Sequence, residues 1–226
     1  MERLYILPKW FLSYGLGLEL LFALVTLVVA IYTFKVYRLS KQSQLKYLSL
    51  GFLSIFLSYS IWFLLNFFAL AELTENLKVL EIGHAITFIN LGAFTHISLF
   101  LIGLILISYA TFMHNNKKAT LLVSATIIIA FIFSVKISSM FYVFSSILMV
   151  FIMLHFISEY TERRNPRLIL MTLAFAFLAI GTFELLFSGA NYIHCILGHL
   201  LTLLAYGLII TNLVKTLQHG KKKNKA

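Results

Sequence analysis

GLGLELLFALVTLVVAIYTFKVYR, Gly15 to Arg38, decides the fold. From Gly15 to Phe34 it holds one charge, Glu19, and then Lys35 and Arg38 follow within four positions. Twenty such residues in a helix rise ~30 Å, the thickness of a bilayer's hydrocarbon core. The stretch predicts a membrane-spanning helix with a carboxylate inside it and cations at its end.

The rest of the chain repeats that pattern. Hydrophobic residues make up 61% and charged ones 12%, with only Pro8 and Pro166 to interrupt helices. This excludes a soluble domain and predicts an all-α, polytopic integral membrane protein. Seven segments are long enough to cross: 15–37, 46–70, 84–112, 118–135, 137–158, 167–188 and 190–214, with a basic tail at 215–226. Together they form a single transmembrane domain, and a cleavable signal peptide is not expected because the first apolar run is too long for one.

Cations set the expected orientation. With the N-terminus outside, Lys35, Arg38, Lys41, Lys46, Lys117, Lys118, Arg163, Arg164, Arg167, Lys215, Lys221, Lys222, Lys223 and Lys225 fall inside, against Arg3, Lys9, Lys78 and Lys136 outside. That asymmetry predicts an outside N-terminus and a cytoplasmic C-terminus, in the cell membrane. The net charge of +10 is then a topology signal facing anionic headgroups, so nucleic acid is not an expected partner. A lone Cys195 excludes an internal disulfide.

Glu-Leu-Leu-Phe occurs at Glu19–Phe22 and again at Glu184–Phe187, in opposite directions across the membrane and with flanks that do not align. It is therefore no internal duplication. Its glutamates matter more: the chain has no Asp, and these are its only deep carboxylates. Counting rise per residue puts both about 6 Å below the outer boundary.

Helical phase gathers the polar residues into stripes. Asn191, Cys195, His199, Thr202 and Tyr206 share one face of the last segment, Gly51, Ser54, Ser58, Trp62 and Asn66 one face of the second, and Glu19, Thr26 and Thr33 one face of the first. Such stripes point into a bundle, because hydrocarbon offers them no partner. The expected site is an outward-facing pocket lined by Glu19, Asn66, Asn90, Glu184, Asn191, His194 and His199, with His96 as its floor.

Several functions fit that pocket. A non-enzymatic binding or sensory component, taking a small molecule or ion and acting through a cytoplasmic or membrane partner protein, is the leading reading. Seven helices in this orientation resemble the rhodopsin and receptor architecture in topology only, since the last segment has no mid-helix lysine for retinal. An intramembrane metal-dependent hydrolase is an alternative. The ceramidase and progestin-receptor hydrolases build their zinc site from Ser-x3-His, an Asp and His-x3-His, whereas this chain has His194-x4-His199, no Asp and no matching Ser. His96, His199 and Glu184 remain candidate zinc ligands, and His96 with His199 candidate haem ligands, though no cofactor is required. A proton or cation transporter is the third reading, with Glu19 and Glu184 as carriers; no broken helix supports it.

Overall fold

A computed structural model describes the backbone of residues 9–74, 82–112 and 138–223, and the side chains of 14–68, 91–111, 139–166 and 168–216. The chain is all-α over these residues, with six helices: α1 (Lys9–Ser40), α2 (Ser43–Thr74), α3 (Ile82–Phe112), α4 (Ser138–Arg163), α5 (Pro166–Leu186) and α6 (Tyr192–Lys223). All six are long and apolar enough to cross a membrane. The expected crossing at 118–135 lies outside the described residues, so the observed architecture has six such helices where the sequence predicts seven. Helix α6 runs through the basic stretch to Lys223, past the helix-weakening Gly220, because lysine is a good helix former and no proline stops the helix.

Local chemistry places the helix ends. Pro166 opens α5, where its missing N–H costs nothing. Asn191 caps α6, its Oδ1 accepting from the Ile193 N–H at 3.0 Å. Lys41 and Arg164 end α1 and α4 in the left-handed conformation (φ 57° and 49°), each N–H donating back to the carbonyl four residues earlier.

Consecutive helices pack side by side as α1–α2–α3 and α4–α5–α6, and slighter contacts of α3 with α4 and of α1 with α6 link the two triplets. Serine hydroxyls tie neighbours together by donating to backbone carbonyls: Ser49 to Ala30 at 2.8 Å, Ser54 to Leu99 at 2.7 Å and Ser146 to Ala179 at 3.1 Å. Two glycine pairs bring backbones together, Gly51 with Gly103 between α2 and α3 and Gly181 with Gly198 between α5 and α6. The polar stripes do face inward: Glu19, Thr26, Thr33, Ser54, Ser58, Thr202 and Tyr206 are buried, while Leu24, Val28, Ile31 and Leu204 face outward. Buried threonines return their hydroxyls to their own helix, as Thr26 does to Phe22 and Thr202 to Gly198, so they need no partner across the bundle.

Contacts also fix relative direction. Ala30 meets Ser49 while Glu19 meets Asn66, so α1 and α2 are antiparallel; Ser54 meets Leu99 while Ser58 meets His96, so α2 and α3 are too. Glu184 meets His194 while Gly181 meets Gly198, making α5 and α6 antiparallel, and the two-residue link before α5 reverses α4. Phe22 lies against Tyr206, whereas Glu19, a turn earlier on α1, is in electrostatic reach of Cys195, earlier on α6. Forward along α1 is thus forward along α6. It follows that α1, α3, α4 and α6 run one way and α2 and α5 the other. All seven described Lys and Arg side chains (Lys35, Arg38, Lys41, Lys46, Arg163, Arg164 and Lys215) then gather at one end of the bundle, and Glu19 and Glu184 lie toward the other.

Candidate functional site

The site is built on the second helix. Ser58, Trp62 and Asn66 recur every four residues, so one face of α2 presents a hydroxyl, an indole and an amide in a column. Asn66 Nδ2 donates to both carboxylate oxygens of Glu19, at 2.8 and 3.0 Å, and the Trp62 indole N–H donates to the same carboxylate. Glu19 is 7% exposed, so these donors stand in for the water it has lost.

One turn further along α2 the network reaches α3. The Trp62 ring stacks on the His96 imidazole, centroids 4.9 Å apart and 27° from parallel. His96 Nδ1 lies 3.1 Å from the Ser58 carbonyl, which can only accept, and 2.7 Å from Ser58 Oγ; we therefore assign the proton to Nδ1. The Ser58 hydroxyl in turn donates to the His96 carbonyl at 2.8 Å. Glu19, Asn66, Trp62, His96 and Ser58 thus form one connected group spanning three helices.

Aromatic rings enclose that group. Tyr59 is edge-on to Phe100 and shares a hydroxyl hydrogen bond with Tyr206, whose ring lies 5.1 Å from that of Phe22. Phe141, in the first turn of α4, packs edge-on against both His96 and Phe100. Tyr142 and Cys195 are in electrostatic reach of Glu19, so the carboxylate sits where the α1–α2–α3 triplet faces α4 and α6.

The other expected pocket residues are engaged elsewhere. Glu184 Oε2 is 2.6 Å from His194 Nδ1, a pair across the α5–α6 turn with side chains 22% and 40% exposed. His199 Nδ1 donates to the Cys195 carbonyl at 2.8 Å. Asn191 serves as the α6 cap. The side chain of Asn90 lies outside the described residues. The structure therefore brings Glu19, Asn66 and His96 into one group and Glu184 and His194 into another. Among the described residues no three His, Cys, Asp or Glu side chains stand close enough to hold a metal ion, so His96, His199 and Glu184 do not form a ready ligand set.

Chemically, the unusual feature is the company Glu19 keeps. Its two donors are both neutral, and it takes part in neither of the ion pairs among the described residues, Arg163–Glu159 and His194–Glu184. Both of its oxygens accept from one amide, which suits the ionised form, yet a bare buried anion costs several kcal/mol, about the effective penalty for an ion in a protein interior. A carboxylate placed in this way is neutralised by taking up either a proton or a cation. Comparison with protein-family models, curated proteins and solved structures finds no match.

Proposed function

We propose that this protein is a membrane-embedded binding or sensory component whose Glu19 centre takes up a small cation from the outer face and passes the change to a partner protein. The observation that carries the reading is the buried Glu19 carboxylate, bound by Asn66 and Trp62 and lacking a described counter-charge. A bound cation would supply the missing charge in surroundings where attraction is much stronger than in water. The aromatic faces around the centre favour the same sign of ligand. The position of Glu19 between the triplets gives occupancy a route to their relative placement, and so to the loops a partner would touch.

Seven crossings, an outside N-terminus and a cytoplasmic C-terminus belong to this proposal. Helix α3 ends at the face where α1 ends and α4 begins at the opposite one, which supports the reading of a further crossing between them. All seven described cations gather at the face assigned to the cytoplasm, as positive-inside orientation requires.

The test is thermal unfolding of the purified chain in mild detergent, titrated with sodium, potassium, calcium and tetramethylammonium, for wild type and Glu19→Gln. A saturable rise of the midpoint in wild type that Glu19→Gln abolishes supports the proposal; at a hundredfold excess over Kd the stabilisation is ~2.7 kcal/mol. If no cation shifts wild type, and Glu19→Gln matches it throughout, Glu19 is a packing residue. A reporter fused after Ala226 should be cytoplasmic, and finding it outside would overturn the orientation.

A further inference from the structure

Two turns of the same build close the face where the cations gather. Residues 41–42 join α1 to α2, and residues 164–165 join α4 to α5. Lys41 and Arg164 are the only non-glycine residues with positive φ among those described, and their N–H groups donate to the Tyr37 and Tyr160 carbonyls at 2.7 and 2.8 Å. A side chain with a Cβ is crowded in that conformation, and glycine or asparagine is the usual occupant. Either would make the same hydrogen bond, so the local structure does not ask for a long cation at both turns.

Their surroundings do. Lys41 and Arg164 are exposed, as are Lys35, Arg38, Lys46, Arg163 and Lys215 at the same end. The described acids there are Glu159 and Glu162, and Glu159 is already engaged by Arg163 at 3.3 Å. Tyr37 and Tyr160 are half-buried one turn before each bend, and tyrosine at a helix end marks the boundary between acyl chains and headgroups. Each turn therefore sits one helical turn beyond that boundary, at the level of lipid phosphates.

We propose that Lys41 and Arg164 are binding residues for the phosphate headgroups of anionic phospholipids in the leaflet on this face. The left-handed turns keep the links to two residues, which holds the cations at headgroup depth instead of carrying them out on a longer loop. The effect adds to the favourable placement of any cation at a helix C-terminus, which needs no lipid.

The test uses the full chain in detergent, titrated with phosphatidylglycerol or phosphatidylcholine and followed by its thermal midpoint and by native mass spectrometry of retained lipid. Lys41→Gly with Arg164→Gly should unfold no earlier than wild type in phosphatidylcholine, because the crowding is relieved, yet bind phosphatidylglycerol about 25-fold more weakly. That is ~1 kcal/mol, or about fivefold, for each cation removed at the surface. Lys41→Asn with Arg164→Asn, which also suits the turn, should behave alike. The proposal fails if both double variants keep wild-type affinity for phosphatidylglycerol, or if wild type prefers it no more than phosphatidylcholine. It also fails if inorganic phosphate or soluble polyglutamate stabilises as well as the anionic lipid, which would assign the face to a free anion or an acidic protein.

Discussion

Gly181 and Gly198 offer the most direct test of how the bundle is held together. A Cβ added at Gly181 would stand 2.9 Å from the Gly198 carbonyl oxygen and 3.1 Å from Leu201 Cβ; one added at Gly198 would stand 2.8 Å from the Gly181 carbonyl and from Leu185 Cδ2. Ordinary contact begins near 3.4 Å, so each methyl is about half an ångström too close to backbone that cannot rotate aside. Helix α5 must then retreat from α6 over a buried stretch, and overpacking of this kind costs ~1–3 kcal/mol. Gly207, on the same helix with nothing within 4 Å, is the control: alanine there removes a helix-weakening glycine and should gain up to ~1 kcal/mol. At about 2–4 °C per kcal/mol for a chain of this size, and with the same propensity gain set against the overpacking cost, Gly181→Ala and Gly198→Ala should lower the midpoint by up to roughly 12 °C while Gly207→Ala leaves or raises it. The double variant should cost less than the sum of the singles, because both methyls open the same gap. Thermal unfolding of wild type and the four variants in one detergent decides the matter. Equal midpoints for Gly181→Ala and Gly207→Ala would mean that α5 and α6 do not meet through these glycines.

Other perturbations probe the polar groups. Asn66→Leu removes the amide that serves both Glu19 oxygens and should cost about 1–3 kcal/mol, more than Glu19→Gln, whereas Glu19→Leu with Asn66→Leu should recover most of the loss; a double-mutant cycle on unfolding midpoints reads this directly. Ser58→Ala breaks the α2–α3 hydroxyl bonds to His96, and with Trp10→Phe leaving Trp62 as the sole indole, loosening of the Trp62–His96 stack should red-shift tryptophan emission. An unchanged spectrum would show that the stack does not depend on Ser58. Glu184→Gln should change the midpoint by less than ~1 kcal/mol, since the His194–Glu184 pair is partly exposed; a loss on the scale of Asn66→Leu would place it in the core network instead.

What the sequence discloses follows from what helical periodicity measures. Spacing by four shows which residues share a face, so the column Ser58, Trp62, Asn66 on α2 and the burial of Glu19 were both legible. Depth counting orders residues by height along a helix and leaves azimuth open. Two glutamates at similar nominal depth could therefore be expected in one cavity, when one bonds α2 and the other bonds α6. Asn191 fell in the polar stripe of the last helix, yet an asparagine immediately before a helix is a cap signal, and the local hydrogen bond prevails. Tyr59 gave no warning because aromatic residues in a membrane chain read as filler until neighbouring helices supply the partner rings, as Phe22, Phe100 and Tyr206 do here. The connections over Lys41 and Arg164 follow from the segment bounds 37–46 and 158–167, but their left-handed, two-residue form was not legible: recognition of such turns relies on glycine and asparagine, and both positions are occupied by cations.

These two kinds of hidden residue share a physical logic. Tyr59, with Tyr206 and Phe22, lies where α2 of one triplet meets α6 and α1, and Phe141 with His96 and Phe100 lies where α3 meets α4. Both of these contacts between the triplets are made by rings, whose faces can slide with little loss of contact, while within each triplet serine–carbonyl bonds and glycine pairs that tolerate almost no displacement stand beside the ring contacts. On the proposed function, a charge change at Glu19 would act on this seam, and the serine and glycine contacts within the triplets would carry the movement to their ends. The turns at Lys41 and Arg164 belong to different triplets, so lipid held at those turns would resist or favour the same movement from the opposite face. Anionic lipid should then alter the cation response of wild type, and neutralising both turns should remove that influence while leaving the Glu19 centre intact. An identical cation midpoint shift in phosphatidylglycerol and phosphatidylcholine would show that the two ends of the bundle are not coupled.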